Sequence, residues 1–201
     1  MNILAIGAHP DDIELGCFGV LTQHHKKKDK IFGLVLTNGE LADDPKMRIQ
    51  ESKKSAKLIN MKLIFASFPD GNLQENSKLV TFIDDVIKKF KINIMYTHSI
   101  YDKHQDHIAT AKASISSSRN IDEAYSYETP SVLAPFNPQL YVDVTDVFRT
   151  KLTALRNHQS QKNKKFMRDS AIKGIAQFRG YQCGLHGKLC EGFEILRIIK
   201  K

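Results

Sequence analysis

Tryptophan is absent from this chain of 201 residues, and cysteine is scarce. The chain has three cysteines, at 17, 183 and 190. A small, odd number of cysteines does not form a disulfide framework, so we expect a reducing environment. No apolar run approaches the roughly 18 residues that a transmembrane helix needs. The N-terminus also lacks the basic and long apolar regions of a signal peptide. The sequence therefore predicts a cytoplasmic protein without a transmembrane segment.

Two kinds of binding motif are also missing. Lysine carries most of the formal charge of +8, yet the basic runs contain no interleaved aromatics and no DNA- or RNA-binding motif occurs. A nucleic-acid partner is therefore not expected. The first strand–helix turn reads Gly-Ala-His-Pro-Asp-Asp in place of G-x-G-x-x-G. Two carboxylates there would repel a pyrophosphate, which argues against a dinucleotide-dependent oxidoreductase.

Apolar runs alternate with segments of helical periodicity along the chain. The predicted strands are 2–7, 31–36, 62–65, 92–96, 125–128, 139–144 and 194–199. The predicted helices are 13–27, 45–60, 79–90, 108–117, 148–157 and 169–178. Such alternation predicts an α/β fold, Rossmann-like, with three layers and a mostly parallel central sheet. The length, without repeats or an obvious linker, predicts a single domain over 1–201.

Acidic residues and histidines cluster where two predicted strands end. The stretch A-H-P-D-D-I-E at 8–14 puts one imidazole and three carboxylates directly after the first strand, and H-Q-D-H at 104–107 follows the fourth. Carboxylates this close repel one another and need a cationic partner or a metal when buried. Sites in open parallel sheets lie outside the carboxyl ends of the strands, so both clusters should meet in one site.

These residue types fit a zinc hydrolase, which usually keeps three protein ligands and an open position for water. His9 and Asp12 can reach one ion from a single turn, and His107 can supply a third ligand. Asp11 would then lie beside the ion as a base for water. His104 can donate a hydrogen bond or a proton to the oxyanion and the leaving amine. Zinc is the expected ion, and other divalent transition metals also suit this set.

The motifs A-H-P-D-D-x-E and H-x-D-H resemble those of the PIG-L/LmbE-like zinc-dependent de-N-acetylases. Similarity extends over most of the chain, through Thr37-x-Gly39-Glu40, Arg48-x-x-Glu51, Asp102-x-His104 and His158-x-Ser160-Gln161. The resemblance implies a Rossmann-like fold. It also implies an enzyme that removes acetyl from an N-acetylglucosamine group of a glycan, glycolipid or thiol glycoside.

By position, the resemblance implies that His9, Asp12 and His107 bind one zinc ion per chain. It assigns Asp11 as the general base.

The resemblance extends to residues around that centre. His104 matches the oxyanion-stabilising or acid residue, and Asp106 matches the carboxylate that tunes it. Arg48 and Asp70 fall where relatives contact the sugar. Glu14 is expected to support a metal ligand from outside.

Two other functions stay open. A metal-dependent phosphoester hydrolase would usually need a second metal and more ligands, and a non-catalytic metal-dependent sugar-binding module would not need Asp11 free beside the ion. The basic composition is compatible with an anionic sugar substrate. Relatives vary in oligomeric state, so a homo-oligomer is allowed by the resemblance and not required.

Overall fold

The computed structural model describes residues 1–200, in which strands and helices alternate. The strands are β1 Asn2–Gly7, β2 Lys30–Thr37, β3 Lys62–Phe68, β4 Ile94–His98, β5 Glu123–Tyr127, β6 Leu140–Asp143 and β7 Cys190–Ile198. The α-helices are α1 Asp12–Gly16, α2 Phe18–Lys26, α3 Pro45–Lys57, α4 Ser77–Phe90, α5 Gln105–Ser117, α6 Phe148–Arg156 and α7 Asp169–Gln182. None of the helices in this part of the chain is long and apolar enough to cross a membrane.

The strands form one sheet in the order β3-β2-β1-β4-β5-β7-β6. Neighbours from β3 to β5 are parallel, and β7 runs antiparallel to both β5 and β6. This three-layer α/β architecture with a mostly parallel sheet confirms the predicted fold. The chain moves outward from β1 to β3 and then returns to β4 on the other side of β1. The carboxyl ends of β1 and β4 therefore lie side by side at the point where the strand order reverses.

The sheet is buried on both faces because successive strand residues point in opposite directions. Ile3 on β1 packs in one apolar cluster with Phe18 of α2. The next residue, Leu4, packs in the opposite cluster with Ile83 of α4. Burial on both faces explains why β1 and β2 read as continuous apolar runs.

The predicted first helix is in fact two helices. The chain breaks at Cys17, whose φ of −142° is not helical. A Cβ on the preceding Gly16 would lie 2.1 Å from the ring of Tyr127, so that ring packs directly on bare backbone. The close approach of Tyr127 requires glycine at this position.

Side chains from the end of the chain satisfy the broken helix ends. Glu191 on β7 accepts hydrogen bonds from the backbone N–H groups of Gly19 (2.9 Å) and Val20 (2.8 Å) at the start of α2. Lys151 of α6 donates to Glu191 at 2.6 Å and to the carbonyl oxygen of Leu15 at 2.7 Å. Both α1 and α2 are thus tied to β7 and α6 through buried, partnered charges.

Other boundaries also differ from the prediction. The fourth strand lies at Ile94–His98, two residues later than predicted, and the last strand begins at Cys190. Helix α5 begins at Gln105 because His104 caps it: the His104 Nδ1 accepts a hydrogen bond from the Asp106 backbone N–H at 3.3 Å. Asp106 and His107 consequently lie in the first helical turn and not in a loop.

Candidate metal and catalytic site

Three side chains from two strand ends meet below the surface. His9 follows β1, Asp12 opens α1, and His107 lies in the first turn of α5. Each is less than a tenth exposed, and each offers one ligand atom within 4.8 Å of the other two. The structure thus brings together the three residues that the sequence predicts as metal ligands.

The facing atoms of this trio have the spacing of a small coordination site. His9 Nδ1 lies 3.3 Å from His107 Nε2 and 3.4 Å from Asp12 Oδ2, and His107 Nε2 lies 3.4 Å from Asp12 Oδ1. Tetrahedral zinc with bonds of about 2.0–2.1 Å places its ligand atoms roughly 3.3–3.4 Å apart. Two imidazole nitrogens and a carboxylate at this separation fit one divalent transition metal.

Carboxylates hold the outer nitrogens of both imidazoles. His9 Nε2 lies 2.9 Å from Asp70 Oδ1 and 3.1 Å from Asp106 Oδ2, while His107 Nδ1 lies 3.0 Å from Asp102 Oδ2. A carboxylate on the outer nitrogen keeps the proton there and leaves the inner nitrogen as a lone-pair donor. Both rings are therefore set in the tautomer that a metal ligand needs.

The site carries an excess of negative charge. Burial alone would lower the pKa of His9, but its hydrogen bonds to three carboxylates outweigh burial and raise that pKa to about 12. Burial also lowers the pKa of His107, but the charges and hydrogen bonds of Asp12 and Asp102 outweigh this effect. The pKa of His107 therefore rises to about 9. Positive charge is strongly favoured at this point, which suits a bound cation.

Asp106 directs its carboxylate toward His9. Its carboxylate receives the backbone N–H groups of Gly71 (2.7 Å) and Leu73 (3.0 Å) and contacts His9, whereas its contact with His104 is through backbone only. The Asp106 carboxylate makes no hydrogen bond to His104, although its charge acts to raise the pKa of that ring, and its predicted role in tuning His104 stays a prediction. Residues two apart on a helix do not face each other, so the side chain turns to His9 instead.

Asp70 also contacts protein groups. Its Oδ1 lies against His9, and its Oδ2 accepts a hydrogen bond from the backbone N–H of Leu41 at 2.9 Å. The hydrogen bond with His9 lowers the pKa of Asp70 to about 2. Asp70 lines the cavity as expected for a sugar contact, but both of its oxygens already hold protein partners.

His104 is placed to donate into the cavity. Its Nδ1 accepts from the Asp106 backbone N–H, so the proton of the neutral ring is on Nε2. Burial, with the nearby His107 and His9, lowers the pKa of His104. The ring stacks on that of His107 at 4.7 Å between centroids and is partly exposed among the cavity-lining residues. A neutral imidazole with one fixed donor suits the stabilisation of a developing negative charge.

Asp11 lies beside the trio and outside it. It is 5% exposed, and it has a φ of 110°, which non-glycine residues rarely adopt. Burial raises the pKa of Asp11 to about 6, with the Arg48 guanidinium opposing this rise and Asp12 adding to it. A carboxylate with a pKa in this range is suited to general-base chemistry near neutrality. Strain of this kind is concentrated at functional sites.

Arg48 supports this strained turn. Its side chain is 2% exposed and donates to the carbonyl oxygens of Gly39 (3.1 Å) and Pro10 (2.5 Å) and to Asp11 Oδ1 (3.3 Å). A Cβ at Gly39, where φ is 68°, would lie 2.0 Å from the guanidinium. The sugar contact of Arg48 stays a prediction, and the donors named here are directed to the protein around Asp11.

Glu14 contacts a histidine other than the predicted ligands. Its Oε1 lies 3.3 Å from Nε2 of His158, which is 1% exposed. Burial lowers the pKa of His158, but Glu14 and Asp11 outweigh burial and raise it. Glu14 therefore acts on the surroundings of Asp11 through His158, and it makes no hydrogen bond to the ligand trio within residues 1–200.

Two supporting residues were missed as site residues. His98, at the end of β4, is fully buried, lies 3.1 Å from Asp12 Oδ2 and stacks on His107 with 4.0 Å between ring centroids. Asp102 contacts His107. The sequence did signal Asp102, which belongs to the Asp102-x-His104 stretch of the family resemblance, whereas His98 gives no signal beyond its place at a strand end.

A cavity of about 480 Å³ opens directly over these groups. Its lining includes the trio, Asp11 and His104, together with residues of the loop after β5 and of the segment before α7. The lining residues are His9, Asp11, Asp12, Leu15, Leu41, Ala42, Arg48, Asp70, Gly71, Lys103, His104, Gln105, His107, Thr129, Pro130, Ser131, Lys164 and Phe166. This volume is typical of a small-molecule site.

The strand ends of this mostly parallel sheet bring together side chains that could bind a metal, a buried carboxylate and an imidazole donor. Such a combination is typical of a hydrolase. Residues 4–117 match the family described as PIG-L, GlcNAc-PI de-N-acetylase. The match covers more than half of the chain, which therefore belongs to the PIG-L family. This confirms the family resemblance drawn from the two motifs, and with it an enzyme of the deacetylase class.

Named relatives agree with the family. The chain is 38% identical over 169 residues to the uncharacterized deacetylase YaiS of Escherichia coli K12, covering 79% of this chain and 91% of that protein. It is 26% identical over 186 residues to the diacetylchitobiose deacetylase of Thermococcus kodakarensis, covering 80% of this chain and 70% of that protein. The structure of N,N'-diacetylchitobiose deacetylase from Pyrococcus horikoshii aligns with a TM-score of 0.85 at 22% identity, covering 96% and 83%. This last likeness concerns the fold.

Proposed function

We propose that the chain is a zinc-dependent hydrolase that removes the acetyl group from an N-acetylglucosamine-type sugar or glycoconjugate. The observation that carries this proposal is the buried Asp11 carboxylate beside, and separate from, the facing atoms of His9, Asp12 and His107. Family membership supports amide hydrolysis, and the likeness to the diacetylchitobiose deacetylase of Thermococcus kodakarensis supports a sugar substrate.

His9, Asp12 and His107 would hold the metal through one imidazole nitrogen each and one carboxylate oxygen. When bound, zinc polarises water and carbonyl oxygen and lowers the pKa of water toward 7. The three outer carboxylates keep the two rings oriented for this task. Because the ligands are buried and held by hydrogen bonds, little reorganisation would accompany metal binding.

Asp11 would accept the proton from the attacking water. Arg48 holds one Asp11 oxygen at 3.3 Å, and Asp11 lines the cavity. The raised pKa of Asp11 makes it a stronger base than an ordinary carboxylate, while Arg48 and His158 keep it ionised near neutral pH. General-base catalysis of this kind contributes about 10²–10⁴-fold.

His104 would stabilise the oxyanion of the acetyl group as the amide carbon becomes tetrahedral. Its Nδ1 is engaged by the start of α5, so the Nε2–H is the group available to the substrate. The proton that Asp11 accepts from water can pass to the leaving amine, so the neutral His104 ring keeps its own proton. A fixed donor is effective here because it is already oriented before the charge develops.

The test is acetate release from a panel of N-acetyl sugars by the zinc-loaded protein, measured together with the appearance of a free amine. We expect equal amounts of acetate and amine from at least one N-acetylglucosamine derivative. Phosphate release from phosphomonoesters without acetate would favour the phosphoester hydrolase, and saturable sugar binding without turnover would favour the binding module.

A matched pair of variants separates the base from general effects of charge. Asp11→Asn should abolish most acetate release, whereas Asp85→Asn, an exposed carboxylate on α4, should leave it unchanged. Both proteins should contain the same amount of zinc. Equal rates in the two variants would contradict the proposed role of Asp11.

A further inference from the structure

The net positive charge of the chain is concentrated in three short segments. Each segment covers the last residues of a helix and the turn to the next strand, and the three are 26–30, 57–62 and 88–93. Together they contain nine lysines and one acidic residue, Asp29. The chain has 30 basic and 22 acidic residues, so the remaining 21 basic residues are matched by 21 acidic ones. The formal charge of +8 is therefore the charge of these three segments.

The three segments lie together at one end of the sheet. Helices that connect parallel strands end near the amino ends of those strands. Contacts agree with this placement: Lys62 Nζ and Lys89 Nζ lie 5.1 and 5.6 Å from the centre of the Phe90 ring. Asn2, at the start of β1, donates to the carbonyl oxygens of Phe90 (2.7 Å) and Lys91 (3.2 Å). We call this surface the basic end. Its exposed lysines are Lys26, Lys27, Lys28, Lys30, Lys57, Lys62, Lys88, Lys89 and Lys91.

The helix dipole accounts for only part of this charge. Cations are favoured in the last turn of a helix, which applies to the lysines that end α2, α3 and α4. Lys28, Lys30 and Lys62 lie outside helices, in the turn before β2 and at the first residues of β2 and β3. The helix ends do not require these three lysines, and each adds to the positive charge of the same surface.

The basic end also carries exposed apolar side chains. Leu58, directly after α3, is 39% exposed, and Met1, directly before β1, is 62% exposed. The one carboxylate, Asp29, is held by His24 Nδ1 at 2.8 Å and by the Met1 amine at 2.6 Å. Lysines with apolar side chains among them are typical of surfaces that bind anionic membranes, where ammonium groups attract the headgroups and apolar groups enter the interface.

The kind of cation also favours a lipid surface over a nucleic acid. The three segments contain no arginine, which is the residue that recognises phosphates and base edges with two parallel hydrogen bonds. Lysine is a point charge on a flexible stem, and this suits a diffuse layer of anionic headgroups.

We propose that the basic end binds the surface of a membrane that contains anionic lipids. The cavity of the candidate site opens at the carboxyl ends of the strands, at the opposite end of the sheet. The bound protein therefore presents this cavity to the aqueous side. Each lysine that reaches an anionic surface strengthens binding by roughly fivefold. This inference adds a partner and does not depend on the proposed deacetylase function.

Co-sedimentation of the full chain with vesicles tests the proposal. The probes are vesicles of phosphatidylcholine alone and vesicles with about 30% phosphatidylglycerol. We expect binding only to the anionic vesicles at about 0.1 M salt, and release at about 1 M salt, where charges are screened beyond ~3 Å. Absence of binding to the anionic vesicles would overturn the proposal.

Two variants of equal net charge assign the binding to its surface. The basic-end variant combines Lys27→Gln, Lys30→Gln, Lys62→Gln and Lys89→Gln. The control combines Lys46→Gln, Lys112→Gln, Lys162→Gln and Lys173→Gln, which are exposed elsewhere on the protein. The first should bind anionic vesicles at least about 10²-fold more weakly than the wild type, and the control should bind within about threefold of it. Equal losses in the two variants would overturn the assignment to the basic end.

Two further measurements separate a membrane from a nucleic acid and fix the orientation. Leu58→Asn should weaken vesicle binding by about threefold or more, because it removes an apolar group from the interface. Binding to mixed-sequence DNA or RNA oligonucleotides without binding to vesicles would overturn the membrane proposal in favour of a nucleic acid. In the wild type, anionic vesicles should slow hydrogen exchange at 27–30 and 58–61 and leave 103–107 unchanged. Protection of 103–107 alone would show that the cavity side faces the vesicle and would overturn the proposed surface.

Discussion

Replacing Asp11 by asparagine separates catalysis from metal binding most sharply. Asparagine keeps the size of aspartate and its Oδ1 can still accept the hydrogen bond from Arg48, so the turn should keep its geometry. Asp11 offers no atom to the ligand trio, and the metal content should therefore equal that of the wild type. Only the proton acceptor is removed.

The expected loss follows from the role of a base. Without a carboxylate to accept the proton, kcat should fall by about 10²–10⁴-fold, which corresponds to roughly 3–5 kcal/mol in activation free energy. The stability of the folded protein should change little. Asparagine is neutral, so it does not carry the cost of ionising a buried acid that raises the pKa of Asp11 to about 6.

The pH–rate profile supplies an independent check. In the wild type, protonation of Asp11 should reduce activity on the acid side, at or below pH about 6, because a bound dication would lower the pKa of a neighbouring carboxyl. The variant lacks this titrating group, and its acid limb should shift or vanish.

The assay is acetate release across pH, with zinc measured in the same samples. Loss of zinc in Asp11→Asn would make Asp11 a ligand and would require new roles for Asp11 and Asp12. Near-normal turnover with zinc bound would remove Asp11 from the mechanism.

Three further predictions concern the ligands, their support and a site remote from both. His107→Ala should lose both zinc and activity, as measured by elemental analysis and acetate release. Full recovery of activity after zinc is added back would contradict this prediction. Asp102→Asn should weaken zinc binding by about 10–100-fold in a chelator competition, because its carboxylate orients His107; unchanged affinity would refute that support. Burial lowers the pKa of His24, so the folded state resists its protonation, and stability should fall as pH drops through 6.5. Urea denaturation of His24→Gln should show a shallower acid loss than the wild type, and equal slopes would exclude this contribution.

Sequence patterns were sufficient to predict which strand ends form the site. Parallel strands bring their carboxyl ends to one edge, so an acidic-histidine cluster after β1 and another after β4 had to meet if the two strands were neighbours. They are neighbours, and His9, Asp12 and His107 converge as predicted. The close packing at the Cys17 break could not be predicted, because the Tyr127 ring that lies on Gly16 comes from a distant part of the chain.

The assignment of each carboxylate to its imidazole was less predictable. The family resemblance suggested Asp106 for His104, but the Asp106 side chain is directed toward His9 and the amides of a neighbouring loop. Arg48 and Asp70 were expected to contact the sugar. In the structure Arg48 contacts Asp11, and Asp70 contacts His9. Such pairings depend on rotamers and on loops brought together by the fold, neither of which appears as a short motif.

The ties between the chain's end and α1–α2 have a consequence for any attempt to shorten the protein. The family match ends at residue 117, yet Lys151 and Glu191 satisfy the carbonyl of Leu15 and the first amides of α2. A fragment that stopped at the matched boundary would leave these groups without partners, at about 1–3 kcal/mol for each one that stays buried. The acidic turn at 9–12 would then lose its anchor although every predicted ligand on it was still present. Complementation by a separately expressed piece containing 118–201 should restore what truncation removes.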